Sequence, residues 1–282
     1  MSKLPSRKII MCPKCRSQKL RFRANRIVCI SCENEFRTSK NKIEFLQLQA
    51  DAHDTLDSIK ALFKKFPKIY AFLMKVISPV YSPNFTKKFV KDYIEGQKTI
   101  AINLGSGSTD IHPNIINVDC CDYKNVNIVC DINSLPFIDS SIDRILNAAV
   151  LEHIPSPDRA VEEMKRILKP NGIVCCYMPF IVGFHASPSD YSRLTIEGLR
   201  TLFKDFEIIS LEVCGGPTSG MLWILQEWLA MVLSFGSKKL YFILYLIIMS
   251  VTWPIKFLDI FCIKHPKASN IASGFLVTAR KI

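Results

Sequence analysis

The sequence predicts an α/β fold, an open and mostly parallel sheet with a small cysteine-rich module before it and an apolar helical insertion near its end. Three observations carry this. The apolar run Ile100-Ala-Ile-Asn-Leu104 is too short for a helix and stops in Gly105-Ser106-Gly107, as a buried strand does when it turns sharply. Ile115-Ile-Asn-Val-Asp119 and Asn127-Ile-Val-Cys-Asp131 follow, each an apolar strand ending in a carboxylate. Three such ends at one sheet edge make a binding rim, because ligands of open α/β sheets sit beyond the carboxyl ends of the strands. Glycine lacks a Cβ, so backbone amides at 105 and 107 can approach a ligand closely. A dinucleotide site would place a third glycine where Asp110 stands, so the expected cofactor lacks a pyrophosphate.

The chain is long enough for a full core plus attachments. Its net charge of +12 is uneven: residues 1–45 hold 12 Lys/Arg against 3 Asp/Glu, 46–216 hold 18 against 20, and 217–282 hold 7 against 2. A near-neutral globular middle therefore lies between two basic ends, which suit nucleic acid, anionic lipid or solubility alike. The charged start shows no apolar leader, and a cytoplasmic location is expected. Four of the eleven cysteines form one spaced set, and the rest fall mostly in core strands as small apolar residues.

Taken in order, Cys12-Pro-Lys-Cys15 and Cys29-Ile-Ser-Cys32 are two knuckles flanking short alternating strands. That spacing puts four thiolates around a tetrahedral Zn2+, closed by protein ligands and so structural, in a module (1–45) too small to fold without metal. Residues 46–97 read as a helical linker or lid. Apolar residues from Ile59 to Ile77 recur at helical spacing among Lys60, Lys64, Lys65, Lys68 and Lys75, which fits an amphipathic helix on an anionic membrane or a lid over the crevice. Phe85, Phe89 and Tyr93 form a core face of the helix leading into the first strand.

Ser141-Ile-Asp-Arg-Ile-Leu-Asn147 is the fourth strand, and Leu151-Glu-His153 lies beyond its carboxyl end. Ser156 and Pro157 open the next helix. Pro170-Asn-Gly172 turns into the fifth strand at 173–178, and 206–213 fits the sixth. The loop Pro179-Phe-Ile-Val-Gly-Phe-His185-Ala-Ser-Pro-Ser-Asp190-Tyr191-Ser-Arg193-Leu-Thr195 is dense in groups that donate, accept or stack. It is the expected acceptor loop.

These segments resemble the class I S-adenosylmethionine-dependent methyltransferases, in particular the type 11 group. The matching residues are Asn103-Leu-Gly-Ser-Gly-Ser108, Asn117-Val-Asp119, Cys130-Asp131-Ile132-Asn-Ser-Leu-Pro-Phe137, Ser141-Ile-Asp143, Val150-Leu-Glu-His-Ile154 and Glu163-Met-Lys-Arg-Ile-Leu-Lys-Pro-Asn-Gly172. The resemblance implies a Rossmann-like seven-stranded methyltransferase sheet over 98–216 plus 268–282, with an antiparallel seventh strand near 273–280. It also implies S-adenosyl-L-methionine as cofactor. Asn103, Gly105, Ser106 and Gly107 would hold the methionine end, Asp119 the ribose, and Asp131 with Ile132 the adenine. The family usually has an acid where this chain has Asn103, which removes a charge partner for the amino group. The acceptor loop resembles a His-x-x-Pro-x-Asp-Tyr-x-Arg-x-Thr signature of one type 11 subgroup. On that basis His185 and Asp190 are the candidate bases and His153 the second choice, with Tyr191 and Arg193 on the substrate. The N-terminal ribbon resembles the zinc module preceding some methyltransferase domains, including certain ribosomal-RNA enzymes.

Residues 217–267 are more apolar than a surface insertion should be. The first piece is interrupted by Gln226 and Glu227, and a two-pass hairpin would put Lys238 and Lys239 on the far side, against the positive-inside tendency. Helices lying in the membrane interface or a re-entrant hairpin agree better, with a dimer interface as the alternative. The expected function is methylation of a membrane-associated small-molecule acceptor on the cytoplasmic side: a lipid-linked sugar, a surface-glycan precursor or a quinone-like lipid. The rival readings are RNA methylation guided by the basic zinc module and a non-catalytic zinc-ribbon scaffold.

Overall fold

The computed structural model describes residues 4–46, 80–81, 84–185 and 189–282. The basic amphipathic stretch expected at 59–77 lies outside the described residues, as do 186–188 of the acceptor loop. Within them, four short strands open the chain: β1 (Leu20–Phe22), β2 (Arg26–Cys29), β3 (Glu35–Ser39) and β4 (Lys42–Glu44). After α1 (Phe85–Tyr93) come β5 (Ala101–Leu104), β6 (Ile115–Asp119), β7 (Ile128–Val129), β8 (Ile142–Ala148), α2 (Pro157–Ile167) and β9 (Leu168–Pro179). The chain continues through α3 (Ile196–Leu202), β10 (Glu207–Gly215), α4 (Pro217–Leu233), α5 (Lys238–Thr252), a short α6 (Asp259–Cys262) and β11 (Gly274–Arg280).

Every residue of β5 and β6 is buried. A parallel strand covered on both faces needs a nearly continuous apolar run, which is what Ile100–Leu104 and Ile115–Val118 supply. The order β7-β6-β5-β8-β9-β11-β10 contains the seven expected strands, with β11 antiparallel to both neighbours. α1 packs Phe89 and Val90 into a second apolar cluster and stacks Phe85 on Tyr177 at 5.4 Å. Two local expectations shift. Ser156 precedes α2 without a side-chain capping bond, and β9 starts at Leu168, running through Asn171, which takes φ +62°, instead of turning first and starting at 173.

The larger correction concerns the amino-terminal module. The sheet has eleven strands, not seven, because β4 runs parallel to β7 with Ile43 opposite Ile128 and Glu44 opposite Val129. The amides of Ile43 and Phe45 donate to Asn127 and Val129, both at 2.8 Å. An uncovered β7 would leave a row of unpaired backbone groups at the sheet edge, and the ribbon satisfies them. Its side chains Ile10, Cys12, Ile27, Phe36, Ile43 and Phe45 belong to the same core as Ile102, Val118 and Phe137.

An ionic network fastens the other side of this junction. Glu163 accepts from the Leu135 amide at 2.9 Å, from Arg166 Nε and Nη2 at 2.8 Å each, and from Arg16 of the ribbon at 3.2 Å. Glu163 is buried, and removing one partner of a buried network strands the rest. Glu163→Ala should lower unfolding free energy by about 3–5 kcal/mol, measured as a fall in the denaturant midpoint.

The insertion folds as a helical hairpin. Its tip turns through Phe235 (φ +47°) and Gly236 (φ +82°). Its far end returns to its start, where Asp259 accepts from the Thr218 and Ser219 amides at 2.8 Å each, at the first turn of α4. This satisfies helix-end donors and places negative charge at the positive helix end. The polar residues that interrupt the apolar pattern have partners too: buried Gln226 donates to Thr252 of α5 at 2.7 Å, and Trp223 donates to Glu227 at 2.8 Å.

Candidate cofactor and acceptor site

The glycine turn after β5 is fixed by its surroundings. Gly105 takes φ +77°, and a Cβ there would stand 2.2 Å from Val150 Cγ2, so only glycine fits. The Gly105 and Ser106 amides donate to Val118 O at 2.8 and 3.1 Å, tying the turn to β6. Gly107 donates its amide to Asp119 Oδ2 at 2.7 Å, and Cys121 donates to Asp119 Oδ1 at 2.9 Å. These bonds hold the carboxylate beside the turn while leaving part of its acceptor capacity for a ligand hydroxyl. Asp131 is exposed and accepts from the Asn133 amide at 2.8 Å, with buried Ile132 beside it. Asn103 is buried within β5, paired in register with Asn117 and Leu146. A small-residue turn with a carboxylate at the next strand tip and another after β7 suits an adenosyl group with a short charged tail.

Asn147, outside the sequence-based set, is fully buried at the end of β8. It donates to Leu104 O at 3.0 Å and accepts from Cys176 Sγ at 3.3 Å, fixing the carboxyl end of β5.

Two residues beyond Val150 begins a second cluster, on the side where the sequence places the candidate acceptor loop. Glu152 is fully buried, and among the described residues neither carboxylate oxygen has a hydrogen-bond partner. Burial pushes its carboxyl up to about 7. His153 Nε2 and His185 Nε2 stand 3.7 and 3.9 Å from Glu152 Oε1, and the two imidazoles meet edge to face at 5.2 Å. Burial lowers the His185 imidazole pKa, favouring its neutral form. Asp190 is committed elsewhere: Arg193 pairs with both of its oxygens and the His185 amide donates to Oδ2 at 3.0 Å. Burial alone would raise the Asp190 carboxyl, but those bonds together outweigh it and hold the group below its ordinary value. Asp190 and Arg193 thus brace the loop that carries His185, and Tyr191 projects to solvent. Across from them Trp223 of α4 packs on the His185 ring at 5.8 Å. The Gly183 backbone is so close to α4 that a Cβ would lie 2.3 Å from Glu227 Oε1.

The ribbon thiols also converge, with Cys12 Sγ 3.6 Å from Cys32 Sγ and Cys15 Sγ 3.5 Å from Cys29 Sγ. Sulfurs on a tetrahedral zinc stand about 3.8 Å apart; these two pairs are close to that spacing and all four sulfurs lie within 4.8 Å of one another, so the set fits such an ion. The knuckle touches the segment after β7 directly: the Ser134 hydroxyl, three residues after Asp131, donates to Pro13 O at 2.7 Å.

Residues 106–176, from the glycine turn to β9, match the family model described as a methyltransferase domain. The chain carries a methyltransferase domain. The demethylmenaquinone methyltransferase of Staphylococcus aureus strain MRSA252 is 29% identical over 150 residues, covering 45% of this chain and 62% of that one. The 2-methyl-6-phytyl-1,4-hydroquinone methyltransferase 1 of Oryza sativa subsp. japonica is 27% identical over 137 residues, covering 39% and 42%. The chain thus spans less than two thirds of the length of both relatives. A solved structure, the 1,6-didemethyltoxoflavin-N1-methyltransferase of Burkholderia thailandensis, is 12% identical with a TM-score of 0.44, covering 93% of this chain and 99% of that one.

Around the methyltransferase domain, sequence reasoning missed Glu152 as a buried carboxylate, Asn147 as a strand clamp, and Trp223 as a wall of the acceptor cluster. Glu152 sits in a turn whose local pattern carries no sign of burial. Trp223 is 38 positions from His185 in the chain, and only the folded hairpin brings them together.

Proposed function

We propose that this chain transfers the methyl group of S-adenosyl-L-methionine to an oxygen or carbon atom of a membrane-associated small molecule. A lipid-linked sugar, a surface-glycan precursor or a quinone-like lipid fits. The observation that carries this reading is the packing of Trp223 on His185: one helix both walls the acceptor cluster and presents Met221, Ile224, Trp228 and Met231 to the outside.

The cofactor supplies an electrophilic methyl group on a sulfonium. The protein's part is to hold the acceptor in line with it and exclude water, a positioning effect of roughly 7–11 kcal/mol. Gly105 and Gly107 present backbone to the cofactor, Asp119 takes its ribose and Asp131 its base. His185, held by the Asp190–Arg193 brace, engages the acceptor from the other side with Glu152 and His153. His185→Ala should therefore lower turnover about 100-fold or more while the dissociation constant for S-adenosylmethionine stays within about twofold; equal turnover would remove His185 from the chemistry.

The hairpin supports membrane contact at the cytoplasmic face. Phe235 at its tip is 91% exposed, next to Lys238 and Lys239, an apolar anchor beside cations suited to an anionic surface. The run Lys238–Cys262 is long and apolar enough to cross a membrane by length and composition. Asp259, however, bonds it back to the start of α4, so a hairpin lying in the interface fits better than a single crossing. Phe235→Asp together with Trp228→Asp should cut cosedimentation with vesicles containing anionic lipid at least tenfold, since each exposed side chain contributes about 2 kcal/mol when buried. Unchanged cosedimentation would favour a dimer interface.

The four thiolates of Cys12, Cys15, Cys29 and Cys32 hold, in this reading, one structural Zn2+. The functional test is incubation with methyl-labelled S-adenosylmethionine and a total membrane lipid extract. Label passing to the organic phase supports the reading, and label passing only to added RNA overturns it.

A further inference from the structure

The structure assigns a second metal site to this chain: we propose that Glu152, His153 and His185 bind one divalent first-row cation, apart from the ribbon, at the acceptor side. One donor atom from each of the three residues lies within 4.8 Å of the other two. Glu152 Oε1 is 3.7 Å from His153 Nε2 and 3.9 Å from His185 Nε2. Donors around a zinc-sized ion stand about 3.3 Å apart, so the two Glu152 pairs need to close by about half an ångström and the third pair by at most about 1.5 Å.

The orientation of the rings is the second argument. His153 Nδ1 rests on the Ser189 carbonyl oxygen, a contact that requires an N–H, so its Nε2 carries the lone pair toward Glu152. His185 Nδ1 stands 3.3 Å from the Gly183 carbonyl, an acceptor, and 3.3 Å from Arg193 Nη2, a donor; these contacts set the position of the ring rather than its tautomer, and Nε2 is the atom turned to Glu152. For His153, the outer carbonyl that fixes the tautomer and aims the other nitrogen inward is the usual support of a metal-ligating histidine.

The third argument is the carboxylate. Both Glu152 oxygens are buried with no hydrogen-bond partner among the described residues, an arrangement that costs several kcal/mol for the carboxylate unless a proton or a bound cation compensates it. Arg193 is the nearby cation, but Asp190 neutralises it. Two imidazoles and one carboxylate favour Zn2+, Mn2+, Fe2+ or Co2+ over Ca2+ or Mg2+. Three protein ligands also leave a position open for an oxygen from outside, whose proton such an ion makes easier to lose. This last step rests on the proposed methyl transfer; the binding of the ion does not.

The test is metal counting on the full chain, loaded with zinc at the ribbon and dialysed against Co2+. Wild type should take up about one Co2+ per chain beyond the ribbon's metal, with absorption bands of nitrogen and oxygen ligation distinct from those of thiolate. Glu152→Gln and His153→Ala should each weaken this uptake at least 100-fold, whereas His265→Ala, an exposed histidine elsewhere, should not. Circular dichroism and S-adenosylmethionine affinity, measured on the same samples, report whether the variants fold and whether the cofactor reading stands. Wild type that binds a single metal, abolished by Cys12→Ser and Cys29→Ser, overturns the proposal even if methyl transfer is found.

Discussion

Gly105→Ala is expected to weaken S-adenosylmethionine binding by about 100-fold or more. The new methyl group would lie 2.2 Å from Val150 Cγ2 at φ +77°, so either Val150 or the turn must move. Overpacking of this kind costs about 1–3 kcal/mol, and a non-glycine residue in the left-handed region adds about 1–2. Gly107→Ala makes the comparison informative. Its φ is +52°, but a Cβ there meets nothing within 4 Å, so only the backbone term remains and the loss should be about tenfold. Titration calorimetry on both variants checks this, and equal losses would mean that contact with Val150 does not shape the site.

Loss of the zinc proposed for the ribbon is expected to have the larger structural effect. Structural zinc contributes on the order of 10 kcal/mol to small modules. Here the module is not a detached appendage: the Ile43 and Phe45 amides are bonded to Asn127 and Val129 of the neighbouring sheet edge. Cys12→Ser with Cys29→Ser should therefore abolish exchange protection at Ile43 and Phe45 and lower the midpoint of the whole methyltransferase domain by 10 °C or more, in line with a few kcal/mol. Protection that survives these substitutions would show that the strand pairing stands without metal.

The central fold was legible because its signals are local. Continuous apolar runs ending in glycine or a carboxylate announce buried parallel strands, and β5, β6 and β7 are adjacent in the sheet as three such runs in succession suggest. The knuckles at Cys12 and Cys29 were legible for the same reason. The attachment of the ribbon was not, since Lys42–Glu44 is a three-residue strand whose partner lies some eighty positions away. At the candidate site, His185, Asp190 and Arg193 could be chosen from the loop at 179–195 and His153 from the Leu-Glu-His turn after the fourth strand, yet their division of labour could not. Only the fold shows Arg193 taking both Asp190 oxygens, and only the fold buries Glu152 between two histidines. The apolar insertion was conspicuous in the sequence, while the contact of Trp223 with His185 depends on how α4 leaves the sheet at Gly216.

The tips of β5, β6 and β7 are the proposed cradle of an adenosyl sulfonium. Titration of the purified full chain with S-adenosylmethionine, in parallel with Asp119→Ala, tests this most directly. Saturable one-to-one binding at micromolar concentration, weakened at least tenfold by Asp119→Ala, is the predicted result. No binding at millimolar concentration, or binding indifferent to Asp119, would contradict it.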